Sequence, residues 1–160
     1  MSLTIIEIRD SALLAHVARS PLLKRAVDIV GALATLTLLA PIFLATAIAI
    51  KMESSGPVFF RQMRIGKNGV PFTMVKFRSM RVGADALHAK MQGVTTSRVT
   101  ETGRFIRRYS IDELPQFWNV LTGDMSLVGP RPALPSEVAK YAPSDRVRLL
   151  VKPGITCLWQ

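Results

Sequence analysis

Two adjacent carboxylates, Asp112 and Glu113, are the residues of this sequence best suited to chemistry. They lie in the segment from Gly103 to Pro132, between a cluster of arginines and a Gly-Pro-Arg-Pro turn. A carboxylate can attack phosphorus, and a second carboxylate can bind a divalent cation that neutralises phosphate oxygens. Arginine side chains can bind the same oxygens in a bidentate manner. The segment therefore predicts a site for chemistry on phosphate.

The same two acids could instead begin a helix. Ser110 and Glu113 have the spacing of a capping box, and acidic residues near a helix N-terminus offset its dipole. Pro115 argues against Ser110 as the N-cap, because the missing proline N–H would fall just past the first turn. A helix that starts nearer Asp112 accommodates the proline and places this carboxylate at the positive end of the helix. Both interpretations stay open at this point.

The composition predicts one domain, an anionic partner and contact with lipid. A chain of 160 residues can form a core, and 49% hydrophobic residues suggest that part of it does not face water. Lysine and arginine exceed the acids by 21 to 11, which fits nucleic acid, anionic lipid or a phosphorylated substrate. The single cysteine, Cys157, excludes an internal disulfide and is typical of a cytosol-facing protein. Neither His16 nor His88 has a Cys/His spacing typical of zinc sites.

An apolar segment must position this site relative to a membrane. No charged residue occurs from Ile29 through Ile50, and these 22 residues would reach roughly 33 Å as a helix, at about 1.5 Å per residue. Pro41 near its middle predicts a bend, and basic residues on both flanks give no charge asymmetry to orient a span. A re-entrant hairpin and a plain span are both open. Asp28 should pair with Lys24 or Arg25, since a lone carboxylate is costly in lipid.

A β-hairpin is predicted after this segment. Residues 58–60 favour a strand, Asn68-Gly69 is a strong hairpin-turn signal, and residues 71–77 would form the return strand. Because side chains alternate along a strand, Lys76 and Arg78 should share one face. That face could line a phosphate pocket or simply be solvated.

The remaining chain shows five weaker patterns. Residues 1–23 suit an amphipathic leader or a loosely packed one. Residues 84–91 favour a helix, and residues 93–102 favour a loop of the kind that can close over a site. A helical pattern after the two acids should end at Gly123. Residues 136–151 form a basic amphipathic pattern suited to anionic lipid.

Many of these features occur together, in a fixed order, in one family. The motifs are Lys24-Arg25-x-x-Asp28, the apolar segment broken at Pro41, Gly56-Pro57-Val58-Phe59-Phe60-x-Gln62-x-x-Ile65-Gly66, Lys76-Phe77-Arg78-Ser79-Met80, Asp112-Glu113-Leu114-Pro115-Gln116, Asn119-Val120, Gly123-Asp124-Met125-Ser126, Val128-Gly129-Pro130-Arg131-Pro132 and Lys152-Pro153-Gly154-Ile155-Thr156. Over residues 22–160 the chain resembles the bacterial sugar transferases, which are monotopic phosphoglycosyl transferases. They initiate exopolysaccharide, capsule, O-antigen or glycoprotein glycans.

The resemblance implies a mainly helical α+β fold in three parts. Residues 1–23 would be the leader, residues 24–51 a re-entrant membrane helix bent at Pro41, and residues 52–160 a cytosolic catalytic domain with a short β-hairpin and amphipathic interfacial helices. It implies a location at the bacterial inner membrane, with the active site facing the cytoplasm. A homodimer is compatible with the family, and nucleic acid is not among the implied partners.

The resemblance also implies a Mg²⁺-dependent reaction between a UDP-sugar and undecaprenyl phosphate. Asp112 would attack the sugar-bearing phosphorus, expel UMP and hold the sugar phosphate covalently until undecaprenyl phosphate accepts it. Glu113 would bind Mg²⁺. The residues matching family positions near the phosphates are Arg107, Arg131, Lys76 and Arg78.

Two departures from the family pattern keep other hypotheses open. Ala40 precedes the bending proline where many relatives have serine, and relatives continue past the Pro-Gly-Ile-Thr motif with a V-x-G-R segment and further amphipathic helices. A shortened, inactive family member that acts as a partner in a glycan assembly complex is therefore the alternative to an active transferase. A basic nucleic-acid-binding module is a third hypothesis, based on charge alone. The sequence does not identify the sugar.

Overall fold

The described part of the chain consists of short helices and two small pairs of strands. The structure is a computed structural model, and it describes residues 21–82 and 99–157. The helices are α1 (Pro21–Leu38), α2 (Ala40–Glu53), α3 (Glu101–Arg108), α4 (Gln116–Thr122) and α5 (Pro135–Val138). The strands are β1 (Phe59–Ile65), β2 (Pro71–Phe77), β3 (Ser126–Val128) and β4 (Gly154–Thr156), and 3-10 turns cover Lys67–Gly69, Ile111–Glu113 and Asp145–Leu150. This agrees with the predicted mixture of helices and a β-hairpin, whereas the pair formed by β3 and β4 was not predicted.

Helices α1 and α2 are two parts of one broken apolar helix. They meet at Leu39 with a bend of 59°. Pro41 lies in the first turn of α2, where its missing N–H leaves no helical hydrogen bond unmade. Within the described ranges, neither helix alone is long and apolar enough to cross a bilayer, whereas the bent pair passes that test of length and composition together. The predicted break at the proline is confirmed.

Charged residues near the start of α1 attach this helix to the rest of the fold. Asp28 accepts hydrogen bonds from the Ser126 hydroxyl and the Leu127 N–H, both at 3.1 Å, and forms an ion pair with Lys24 at 3.4 Å. Arg25 donates to the carbonyls of Val120 and Leu121 at the end of α4. The predicted partner of Asp28 is confirmed for Lys24. Arg25 instead covers the C-terminal end of α4, where the last carbonyls of a helix lack the full set of intrahelical partners; the Val120 carbonyl also accepts from the Gly123 N–H.

The C-terminal end of α2 is connected to the start of α3. The Glu53 carboxylate accepts hydrogen bonds from the backbone N–H groups of Glu101 (2.6 Å) and Thr102 (2.9 Å). These donors are among the unpaired N–H groups at a helix N-terminus, where a negative charge is favoured. Hydrogen bonding from the Thr102 side chain and from both backbone groups lowers the pKa of Glu53. Glu53 is therefore a connection between the apolar helix pair and the segment that leads to Asp112.

Strands β1 and β2 form the predicted antiparallel hairpin. Their register runs from Phe59 opposite Phe77 to Ile65 opposite Pro71. Asn68 (φ 59°) and Gly69 (φ 76°) adopt the left-handed conformations that the Asn-Gly signal predicts. The hairpin and the bounds of its return strand are confirmed, and the first strand extends beyond the predicted residues 58–60.

Two apolar clusters hold these elements together. The first joins α1, β2 and α4, and its buried members are Ala32, Phe72, Met74, Val120 and Met125. The second joins α2, β2 and α3, and its buried members are Ile50, Phe77 and Ile106. Each half of the broken helix therefore packs on its own part of the core, with β2 between them.

Predictions about four chain segments meet different outcomes. Residues 136–151 contain α5 and the 3-10 turn at residues 145–150, with Pro143 between them, and their contact with anionic lipid stays a prediction. The leader up to residue 20, the helix predicted over 84–91 and most of the loop predicted over 93–102 lie outside the described residues.

Candidate active site

Asp112 and Glu113 lie in a 3-10 turn between α3 and α4. Ser110 before the turn has a left-handed conformation (φ 55°, ψ 21°), and its side chain makes no capping hydrogen bond. Helix α4 begins at Gln116 with Pro115 as its N-cap. The capping-box interpretation is therefore wrong. Proline fits at the helix boundary, where no N–H is needed, and the two acids come just before the helix.

Lys76 on β2 forms an ion pair with Glu113. Its ammonium nitrogen lies 2.5 Å from the Glu113 Oε1 atom. The strand is held against α4 by Asn119, whose side-chain oxygen accepts from the Val75 N–H (3.0 Å) and whose amide donates to the Thr73 carbonyl (2.8 Å). The Asn119 side chain therefore makes the hydrogen bonds that a neighbouring strand would make along the outer edge of β2. Its two hydrogen bonds fix the backbone next to Lys76.

Asp112 is half-buried, and its surroundings act on its charge in opposite directions. Burial raises the pKa of the Asp112 carboxyl above the ordinary 3.8, and the neighbouring Glu113 charge adds to this effect. The positive charges of Lys76 and Arg107 oppose it. A carboxylate that keeps its charge in a partly desolvated site is more basic than one in water, which favours its use as a nucleophile.

Arg107 and Arg78 have different roles in the structure. Arg107 on α3 donates from Nε to the Ser79 hydroxyl at 2.7 Å, and its charge acts on Asp112. Arg78 is buried and donates to the Ser54 carbonyl and hydroxyl and to the Ser55 carbonyl, which follow α2. The structure thus separates Arg78 from Lys76, because the chain leaves the strand at residue 77. Contact of Arg78 with phosphate stays a prediction.

Arg131 is positioned by two strands that come from distant parts of the sequence. Strands β3 and β4 pair in parallel, with Ser126 opposite Gly154. The Gly154 N–H donates to the Pro130 carbonyl at 2.9 Å. A side chain at Gly154 would collide with the backbone of Gly129, so both glycines are required for this close approach. Arg64 donates to the Pro132 carbonyl at 2.9 Å, so the loop that carries Arg131 is fixed on both sides of the arginine.

One polar pocket brings several of these residues together. Its lining residues are Arg64, Met74, Lys76, Glu113, Gln116, Arg131, Pro132, Gly154, Ile155 and Cys157. Three of the predicted site residues, Lys76, Glu113 and Arg131, are in its wall. The sequence interpretation missed Arg64, Gln116 and Cys157 as pocket residues. Gln116 was singled out only by its position in one of the ordered motifs, and Arg64 falls at an unspecified position of another.

The carboxylates provide a donor set suited to one type of metal site. In the described residues, no group of three or more histidine, cysteine, aspartate or glutamate side chains could hold an ion. Mg²⁺ is commonly bound by one or two carboxylates together with substrate phosphates. Asp112 and Glu113 fit this shared mode of binding, and they do not fit a site built from protein ligands alone. Two acids, an adjacent lysine and nearby arginines form an arrangement suited to transfer of a phosphate group.

Comparison with known proteins agrees with this chemistry. The family model for bacterial sugar transferases matches residues 19–160. The chain belongs to the bacterial sugar transferase family. The resemblance drawn from the ordered motifs is thereby confirmed.

Curated members of the bacterial sugar transferase family are similar to this chain. Galactosyl transferase CpsE of Streptococcus agalactiae is 47% identical over 150 residues, covering 86% of this chain and 33% of CpsE. A UDP-glucose:undecaprenyl-phosphate glucose-1-phosphate transferase of Escherichia coli is 48% identical over 138 residues, covering 84% of this chain and 30% of that protein. The corresponding N-acetylgalactosaminephosphotransferase of Aeromonas hydrophila is 45% identical, with 84% and 32% covered. The chain thus spans about a third of the length of these relatives.

Proposed function

We propose that this chain carries the catalytic site of a phosphoglycosyl transferase that moves a sugar 1-phosphate from a UDP-sugar to undecaprenyl phosphate. The observation that carries the proposal is the Asp112-Glu113 turn, beside a pocket lined by Lys76 and Arg131, in a bacterial sugar transferase. Relatives from Escherichia coli and Aeromonas hydrophila are named for transfer to undecaprenyl phosphate. The reaction would be the first membrane step of exopolysaccharide, O-antigen or capsule assembly.

The proposed reaction has two steps at one phosphorus atom. A carboxylate oxygen of Asp112 attacks the sugar-bearing phosphorus of the donor, and the bond from that phosphorus to the bridging oxygen breaks, so UMP leaves with the bonding electrons. The sugar phosphate is then held as an acyl phosphate on Asp112. An oxygen of undecaprenyl phosphate attacks the same phosphorus next. The carboxylate leaves unchanged, and undecaprenyl-diphospho-sugar is the product.

The neighbouring side chains stabilise the charge of this reaction. Lys76 lies against Glu113, and Arg107 is held by Ser79 with its charge acting on Asp112. Fixed cations of this kind stabilise the additional negative charge of a phosphoryl-transfer transition state. Mg²⁺, which Glu113 would hold together with the donor phosphates, neutralises phosphate oxygens when bound. The Lys76 ion pair orients Glu113 for this role.

The bent helix pair gives the proposed reaction a location. Undecaprenyl phosphate has its phosphate at the surface of a bilayer, so the nucleophile must reach that depth. Helices α1 and α2 have many exposed large apolar side chains, among them Leu22, Val30, Leu38, Leu44 and Ile48. Such a surface favours contact with lipid. We propose an inner-membrane protein that enters the bilayer as a re-entrant hairpin and has its site on the cytoplasmic side.

Release of UMP tests the proposed function. The protein is incubated with Mg²⁺, a panel of UDP-sugars and a polyprenyl phosphate, and UMP is measured. We expect release from one or a few donors and, without acceptor, a sugar-phosphate adduct on Asp112 by mass spectrometry. Asp112→Asn should abolish both signals. Asp124→Asn is the matched control, because Asp124 is exposed and bonded only to Thr122 among the described residues.

Two results would contradict the proposal. Folded protein that releases no UMP from any donor would favour the inactive family member. Undiminished turnover by Asp112→Asn would exclude the covalent step on this residue. For the topology, residues before Lys24 and after Lys51 should be labelled from the same side of the membrane, and labelling from opposite sides would exclude the hairpin.

A further inference from the structure

Arg64 on β1 is a buried cation in the wall of the candidate active site. Only 8% of this residue is exposed, and it lines the same pocket as Lys76, Glu113 and Arg131. Its Nη1 atom donates to the Pro132 carbonyl at 2.9 Å, and its Nη2 atom donates to the Gln62 Oε1 atom at 2.7 Å. Both acceptors are neutral oxygens. Arg64 thus brings a full positive charge into the pocket without an acidic partner.

The charge of Arg64 has no ion-pair partner in the described ranges. No described carboxylate lies within 4.0 Å of its guanidinium, since the ion pairs there involve only Lys24, Lys76 and Arg104. Of five N–H donors, two are used, and the Nε atom has no partner. Burial lowers the pKa of Arg64 and the nearby Arg131 charge lowers it further, although Glu137 and Glu113 oppose this. A buried charge of this kind is normally paired, so an anion bound in the pocket would compensate it.

Arg78 provides a comparison within the same fold. It is also buried, at 6% exposure, and it too has an unpartnered Nε atom. Its other nitrogens donate to three oxygens of Ser54 and Ser55, just beyond α2, where the negative end of the helix dipole favours a cation. Arg78 does not line the pocket. The hydrogen bonds of Arg78 therefore assign it a structural role, whereas Arg64 lines the pocket and has N–H donors without partners that a ligand could use.

We propose that Arg64 binds a phosphate oxygen of the donor diphosphate directly, as a second guanidinium beside Arg131. This assignment rests on the proposed function, because it takes a UDP-sugar as the ligand. The two arginines reach the pocket from different elements, one from β1 and the other from the loop before α5. Arg64 also donates to the carbonyl of Pro132, the residue after Arg131. A diphosphate carries two charges, and two planar guanidinium groups match it in charge and geometry.

Cys157 offers a way to measure binding without turnover. It is the only cysteine of the chain, and it lines the pocket. Its alkylation by N-ethylmaleimide, followed by mass spectrometry of the intact protein in detergent, reports occupancy of the pocket. UDP should slow alkylation in a concentration-dependent way. Uridine, which has no phosphate, serves as the comparison ligand.

The test variants are Arg64→Lys and Arg64→Gln. The first keeps the charge without the planar fork, and the second keeps a donor without the charge. In both variants we expect the UDP concentration that half-protects Cys157 from alkylation to rise about tenfold or more, because one charge-assisted hydrogen bond is lost. The protection given by uridine should change little. Arg61→Lys is the matched control, because Arg61 is an exposed arginine on the same strand that does not line the pocket. Cooperative thermal unfolding shows that a variant is folded, and the variants that pass this test are compared.

A double variant separates direct contact from positioning of Arg131. If both arginines bind the ligand independently, the double variant Arg64→Lys/Arg131→Lys should lose about the product of the two single losses, roughly a hundredfold. A double variant no weaker than Arg131→Lys alone would mean that Arg64 acts only through Arg131, and this would overturn direct contact.

The same assay distinguishes the inference from the function on which it rests. Unchanged UDP protection in Arg64→Lys and Arg64→Gln, with clear protection of the wild type, would overturn the role of Arg64 and leave the proposed function standing. No protection of the wild type by UDP or by UDP-sugars would overturn both.

Discussion

Replacing Asn119 tests how the fold holds Lys76 at the candidate active site. Asn119 is 3% exposed, accepts from the Val75 N–H and donates to the Thr73 carbonyl. In Asn119→Ala, the Val75 N–H loses its acceptor inside the structure, which costs about 2 kcal/mol. Thr73 is exposed, so its carbonyl can bind water, and that loss is nearer 1 kcal/mol. We expect a total loss of about 3 kcal/mol.

Thermal unfolding followed by circular dichroism measures this loss. For a chain of this size, about 3 kcal/mol corresponds to a fall in Tm of roughly 6–12 °C. Asn68→Asp is the control, because Asn68 is exposed in the hairpin turn and aspartate tolerates the same left-handed conformation. It should change stability by less than about 0.5 kcal/mol.

Asn119→Asp refines the test, because it retains the acceptor for Val75 and replaces only the donor. Near pH 7 its second carboxylate oxygen would face the Thr73 carbonyl, so a loss of stability similar to that of alanine is expected. Burial should raise the folded pKa of the new carboxyl. Stability should therefore recover as the pH falls through that value and be fully regained below the unfolded pKa of about 3.9. A loss below about 1 kcal/mol for Asn119→Ala, or no recovery of Asn119→Asp in acid, would refute this account of the edge of β2.

Three further predictions follow from the structure. Glu53→Gln should lower the free energy of unfolding by about 1 kcal/mol near pH 7 and by little in acid. The lowered pKa of Glu53 adds stability that is present above pH 4.5 and lost as the pH falls through the pKa of the folded state. Urea unfolding at two pH values measures this difference, with the exposed Glu101→Gln as control. Gly103→Ala should cost roughly 1–3 kcal/mol in the same assay, because a Cβ atom there would overlap the Ser79 carbonyl, and an unchanged midpoint would contradict this packing. The rate of UMP release should fall in acid with a midpoint above pH 3.8, because in the proposed reaction Asp112 attacks in its ionised form and its pKa is raised. A midpoint at or below pH 3.8 would contradict the role of burial.

Local signals in the sequence predicted much of the fold. Pro41 removes a backbone donor, Asn68-Gly69 adopts left-handed angles at low cost, and Gly123 ends α4 with φ 93°. Each effect depends on one or two residues and their neighbours in the chain. These predictions hold for that reason.

The details of the site depended on contacts that sequence spacing does not contain. Alternation along β2 placed Arg78 with Lys76, but the strand ends at Phe77 and Arg78 binds the residues after α2. Arg64 looked like one of several flanking basic residues, and only its burial beside the pocket distinguishes it. The spacing of Ser110 and Glu113 matched a capping box, yet Ser110 adopts a left-handed conformation instead. The roles predicted for Asp112 and for Mg²⁺ stay predictions.

The attachment of α1 bears on attempts to obtain a soluble fragment for crystallography or inhibitor screening. Deleting the apolar helices would remove the Asp28 carboxylate to which Ser126 and Leu127 donate, together with the Arg25 guanidinium that covers the end of α4. The polar groups left behind lie just before the loop of Arg131. The apolar helices are therefore a structural component of the candidate active site, and detergent, nanodisc or anchor-retaining designs should preserve ligand binding better than truncation.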